Sequence, residues 1–194
     1  MAYKVLNNVS VKDVTSSDLL SLKTDLLVIV INKNTKDKVV NQLAKDVSSH
    51  LKESGSSVLV PNAKSFNAKN VLLVKGFQDS DQIHKLISMY QSIAQKGNQL
   101  KAKDISIMPG TVYPKGKCEM WLIEMVAKTI ESNVYIFSET CNKTAKKPSV
   151  KKLNILVSSL TKSDLIKAKN AAKKGYAIGE GVNSAKYLGD LPAN

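Results

Sequence analysis

The chain has 194 residues, 43% of them apolar, and a net charge of +13. That length holds one domain, or one domain with an appendage, and buries enough surface to fold without a disulfide or metal staple. No apolar run approaches the roughly 20 residues that span a bilayer, and the opening MAYKVLNNVSVKD has no apolar core of a secretory signal, so the expected compartment is the cytoplasm.

In chain order, a strand-like segment falls around residues 9–14. Residues 26–31, Leu-Leu-Val-Ile-Val-Ile, form a continuous apolar run, the pattern of a strand covered on both faces. Val39, Val40, Leu43, Val47 and Leu51 then recur at helical spacing over 37–51, with Gly55 as the next stop. Residues 71–74 read as a second buried strand closed by Gly76. Asp79 or Ser80 can cap a helix that starts near Asp81, shows Ile83, Leu86, Ile87, Tyr90, Ile93 and Ala94 on one stripe, and ends at Gly97. Residues 105–108 are a third strand, stopped by Pro109 and Gly110. A helix over 118–131 turns Trp121, Leu122, Met125, Val126 and Ile130 inward. Val134, Tyr135, Ile136 and Phe137 read as a fourth strand, and residues 153–157 as a fifth.

The last element is different in kind. Thr161 with Asp164 three residues on resembles a capping box. Leu165, Ala168, Ala172, Gly175, Ile178, Val182, Ala185 and Leu188 then recur at steps of three and four, which predicts one helix of about 27 residues. Gly175, Gly179 and Gly181 each cost about 1 kcal/mol in a helix relative to alanine. Their presence implies close packing, part of it against a surface outside this chain. Strands alternating with helices mean an α/β fold in layers, with a mostly parallel or mixed central sheet and a long linker helix at the end. The expected organisation is an α/β domain over residues 1–160 and a linker helix with its junction over 161–194.

Catalytic motifs are missing. Gly110 to Lys117 lies between a strand and a helix, where a phosphate loop belongs. It has five residues between its glycines where a Walker loop has four, and Cys118 stands where a hydroxyl should bind magnesium, so it reads as a loop. Gly179-Glu180-Gly181 sits in a helical pattern and lacks the preceding strand of a dinucleotide fingerprint. His50 and His84 have no second ligand nearby, Cys118 and Cys141 match no zinc spacing, and no HExxH or GxSxG string occurs. Every basic residue is lysine. Lysine and asparagine share A/T-rich codons, so coding composition alone could produce their abundance, and the absence of arginine argues against bidentate base reading. Lys143, Lys146, Lys147, Lys151 and Lys152 nonetheless form the best basic patch for nucleic-acid phosphates.

The most specific string is the C-terminal one, AIGEGVNSAKYLGDLPAN. It resembles the leucyl (cytosol) aminopeptidase family, whose corresponding segment reads approximately A-x-x-x-G-x-x-x-A-R-D-L-x-N-x-P-x-N. Gly181, Ala185, Leu188, Pro192 and Asn194 match; Lys186, Tyr187 and Asp190 replace the family's arginine, aspartate and asparagine. TDLLVIVI, VLLVKG and VYIFSE look like that family's N-terminal α/β domain, which is macro-like. The resemblance implies that residues 181–194 are an interdomain junction and that this chain is a non-catalytic assembly or regulatory domain, inactive alone. The parent would be a cytoplasmic metallo-aminopeptidase, a homo-hexamer releasing N-terminal residues from peptides. Its two divalent metals, zinc or manganese, would sit in a catalytic domain beginning where this chain stops. That domain's NTDAEGR signature is not found here. Two alternatives follow: DNA binding, since some bacterial members resembling aminopeptidase A also bind DNA, and a macro-type nucleotide module.

Overall fold

The continuously apolar segments become strands, and the 3.6-periodic ones become the helices that cover them. A computed structural model describes residues 5–31, 51, 53, 55–77, 83–110, 113–137 and 147–191. Its elements are β1 (Asn8–Asp13), α1 (Ser16–Ser21), β2 (Thr24–Ile31), β3 (Ser57–Pro61), β4 (Ala68–Lys75), α2 (Ile83–Gln99), β5 (Asp104–Met108), α3 (Glu119–Val134), β6 (Lys152–Val157) and α4 (Lys162–Asp190).

The strands form one sheet in the order β1-β6-β5-β2-β4-β3. Every neighbouring pair is parallel except β3 with β4, which is antiparallel. The expected mostly parallel sheet in an α/β fold is therefore present. The most apolar strand, β2, lies between β4 and β5, with Val28 opposite both Leu72 and Ile107. Side chains alternate across the pleat. Val28, Val30, Leu72, Val74, Ile105, Ile107, Leu153 and Ile155 join the core beneath α2, α3 and α4. Leu27, Ile29, Val71, Leu73 and Leu156 join a second core with Leu19 of α1, Ala63 and Phe66. Burial on both faces is why β2 shows no polar alternation.

The final helix spans 29 residues, about 40 Å at the standard rise. Thr161 caps it, accepting the Asp164 N–H at 3.1 Å. One expectation fails. Residues 134–137 are not a strand: α3 runs through Val134, and 135–137 follow without regular structure. Val134 completes the buried face of α3. Tyr135 and Phe137 are instead engaged by the end of α4, through a Tyr135 hydroxyl bond to the Asp190 carboxylate at 2.9 Å and a Phe137–Tyr187 ring contact at 6.2 Å. A short apolar run cannot announce whether its partner is a sheet or a helix. Two elements carried no expectation: α1, held by a Thr15–Asp18 capping box, and the edge strand β3. The helix expected over 37–51 lies outside the described residues apart from Leu51, as do the caps at Asp79 and Ser80.

Candidate interdomain and basic surfaces

The parallel register gathers charge at one end of the sheet. Lys103 accepts, through its carbonyl, the N–H groups of Lys151 at 2.8 Å and Lys152 at 3.2 Å, and Lys152 lies opposite Asp104. Lys101 and Lys103 are exposed in the turn that enters β5; Lys23 and Lys69 are exposed where β2 and β4 begin to pair. Of the lysines read from the sequence, Lys147 and Lys152 are exposed and Lys151 is half-buried, while Lys143 and Lys146 lie outside the described residues. The strands thus extend the lysine cluster into a rim with Lys101, Lys103, Lys23 and Lys69. No local string reveals this, because the four added lysines come from three separate segments. Burial works against ionisation of Asp25, but the Lys69 ammonium and the Lys103 backbone N–H outweigh it and hold its carboxyl below the usual range. The rim keeps a lysine excess over Asp25 and Asp104, suited to phosphates as point charges rather than to planar recognition.

Beside the rim a hydrogen-bond ladder crosses four strands. Ser10 donates to the Asn154 Oδ1 at 2.8 Å, Asn154 Nδ2 to Ser106 Oγ at 3.1 Å, Ser106 Oγ to Thr24 Oγ1 at 3.1 Å, and Thr24 Oγ1 to the Asp104 carboxylate. It pairs the buried hydroxyls of Ser106 and Thr24, which would otherwise be desolvated at a cost of about 1–3 kcal/mol each. Its bonds tie each of these parallel strands to the next.

The last helix has two unlike faces. Ala168, Ala172, Gly175, Gly179 and Asn183 are buried. A Cβ added at Gly175 would stand 2.1 Å from the Glu124 carbonyl oxygen, and one at Gly179 would stand 2.7 Å from Glu131 Cβ, so these glycines let α4 lie directly on α3. Gly181 is unlike them: among the described residues nothing lies within 4 Å of its would-be Cβ. Gly181, Ala185 and Leu188 share the outward face at steps of four and three, preceded by Ile178. Ile178 is 38% exposed and Leu188 69%. Three of the junction residues read from the sequence therefore lie together on a face this chain leaves uncovered among its described residues; Pro192 and Asn194 lie outside them.

The Gly110–Cys118 segment closes as a turn at its far end, with Lys117 N–H donating to the Pro114 carbonyl at 2.9 Å and Gly116 at φ 77°. Cys118 is exposed and leads into α3, and His84 is exposed on α2; His50 and Cys141 are outside the described residues. Among the described residues no three His, Cys, Asp or Glu side chains are placed to hold a metal, so this donor set does not fit a two-metal centre. No described helix is long and apolar enough to cross a membrane.

No protein-family model matches the chain. Curated relatives do. A probable cytosol aminopeptidase of Vesicomyosocius okutanii is 29% identical over 176 residues, 89% of this chain and 34% of that protein. The probable cytosol aminopeptidase of Azotobacter vinelandii is 27% identical over 93% of this chain and 38% of its own length. The cytosol aminopeptidase of Pseudomonas aeruginosa is 25% identical over 90% and 37%. The chain thus spans about a third of the length of the curated relatives it matches. Among solved structures, a tomato leucine aminopeptidase mutant superposes with a TM-score of 0.56 at 18% identity, covering 88% of this chain and 36% of that one. The macro domain of ganglioside induced differentiation associated protein 2 superposes at 0.59 and 16% identity, covering 88% and 85%. At these identities the two structures show the fold: a macro-type α/β domain.

Proposed function

We propose, from the premise that this chain is a homologue of the cytosol (leucyl) aminopeptidases and consistent with an N-terminal domain of that family, that it serves as the non-catalytic assembly or regulatory domain of such an enzyme. The observation that carries this is the coverage: about nine-tenths of the chain aligns, and it accounts for about a third of each relative. In this reading residues 1–160 are the α/β domain and 161–194 the linker. The catalytic domain, with its two zinc or manganese ions, is the other two-thirds of a hexameric, cytoplasmic parent that removes N-terminal residues from peptides. The outward face of α4, through Gly181, Ala185 and Leu188, is where that domain would rest. Its exposed apolar side chains sit on the final turns before residues 192–194, and Gly181 is small without a close neighbour among the described residues. The test is direct. The purified chain, given manganese or zinc, should neither retain metal nor release p-nitroaniline from leucine p-nitroanilide; metal-dependent turnover by the pure chain would overturn the proposal.

One observation favours a second reading. The lysine rim gathers where β6, β5, β2 and β4 begin, and contacts of lysine with phosphates alone give dissociation constants of about 10⁻⁴ to 10⁻⁶ M at physiological salt. A duplex titration at about 50 mM salt, repeated with Lys103→Glu and Lys152→Glu, decides it; no binding by the unaltered chain removes the idea. The macro-type fold by itself does not carry nucleotide binding to this chain, because one fold hosts many functions. An absent thermal shift with ADP-ribose would count against that alternative.

A further inference from the structure

Glu131 is fully buried on α3, and three donors from two other parts of the chain converge on its carboxylate. Oε1 accepts the Val5 backbone N–H at 2.8 Å and Asn183 Nδ2 at 3.0 Å; Oε2 accepts the Leu6 N–H at 3.0 Å. Asn183, itself buried on α4, also donates to the Glu131 backbone carbonyl at 2.9 Å, while its Oδ1 has no partner among the described residues. Among the described residues, the amide is therefore oriented by Glu131. One turn earlier, Gly179 lets α4 touch the Glu131 side chain, and Tyr176 Oη donates to the Leu6 carbonyl at 2.8 Å. Val5 and Leu6 thus have both N–H groups bound by α3 and a carbonyl bound by α4, just before the chain enters edge strand β1.

We propose that Glu131 is a latch that makes the 5–6 segment and the C-terminal half of α4 a single conformational unit, so that seating one orders the other. The arrangement is more than a satisfied core polar group. A carboxylate needed only to cap backbone N–H groups would not also hold Asn183, and Tyr176 supplies a second, independent tie between the same two segments. Hydrogen bonds shielded from water, as these are, count for more than exposed ones. Load placed on the outward face of α4, which lies across the helix from Asn183, is in this way transmitted to β1 at the edge of the sheet. Glu131 acts as a positioning residue; it touches no substrate.

Amide exchange on the whole chain tests this. Glu131→Ala should speed exchange at Val5 and Leu6 by about tenfold or more and speed residues 176–190 in parallel, leaving β2 and β5 amides unchanged. Glu131→Gln, which keeps one acceptor oxygen, should fall between. If Glu131→Ala does not fold, Tyr176→Phe removes only the tie to the Leu6 carbonyl and should loosen both segments together. Loosening of the 5–6 segment with 176–190 unmoved would overturn the latch. So would loosening of β2 and β5 to the same degree, which marks a general loss of stability.

Discussion

Two glycines stand two residues apart on the last helix in opposite surroundings. Gly179 is buried against Glu131, with no room for a methyl group; Gly181 faces open space. Both break helix propensity by the same amount, but among the described residues only Gly179 has the close packing that offsets it. The inward face of α4 is built as a core, with small residues bringing two backbones together. The outward face over its last turns has small and large apolar residues with nothing on them among the described residues. The same helix therefore carries one finished interface and one open surface, and substitutions should tell them apart.

The largest effect belongs to the inward face. Gly175→Ala puts a methyl group against the Glu124 carbonyl, a backbone atom that cannot turn aside, and should cost about 3 kcal/mol in urea unfolding. Asn183→Ala removes a buried donor from both the side chain and the backbone carbonyl of Glu131; a loss of about 1–2 kcal/mol is expected, with exchange at Val5 and Leu6 rising as well.

A gentler probe of the same face is pH. Burial, and the nearby negative charge of Glu180, raise the Glu131 pKa above its ordinary value despite the three bonds that favour ionisation. The folded state therefore holds this proton more tightly than the unfolded chain. Its contribution to stability is complete below the unfolded value of about 4.3 and is lost as pH rises through the elevated folded one. Thermal unfolding across that window should show the decline in the unaltered chain and a flatter profile in Glu131→Gln. Asp25, whose pKa is lowered, acts in the opposite sense and at lower pH, so it does not mask the difference.

On the outward face the sign changes. Gly181→Ala meets no neighbour and should stabilise the isolated chain by about 0.5–1 kcal/mol through helix propensity. Leu188→Ser should shift the stability of the isolated chain by less than about 0.5 kcal/mol, the usual range for exposed positions. The same substitution in a full-length parent should weaken the association of this domain with the rest. If it destabilises the isolated chain as much as Asn183→Ala does, the two faces are not different and the open surface does not exist.

Much of this architecture was legible beforehand. The apolar runs at 26–31, 71–74, 105–108 and 153–157 are strands in a mainly parallel sheet, and the length and Thr161 cap of the last helix appear as expected. The failure at Tyr135 and Phe137 has a specific cause: their hydrophobicity answers α4, 50 residues further on, and not a neighbouring strand. The basic cluster was legible only in its contiguous part. Lys101 and Lys103 join it because β5 and β6 pair in parallel, a contact that composition cannot show.

What the amino-acid order determined by itself is what depends on near neighbours: hydrophobic period, caps, and the C-terminal string in which the resemblance to the aminopeptidases is read. What only the tertiary structure decided is which of two similar glycines is enclosed, which lysines share an edge, and that Glu131 reaches residues 125 and 126 positions before it in the chain. The reason is physical. Period and capping express hydrogen bonds made within a few residues, whereas enclosure and charge gathering depend on which distant surfaces meet, and that is settled by the packing of the whole sheet and its helices.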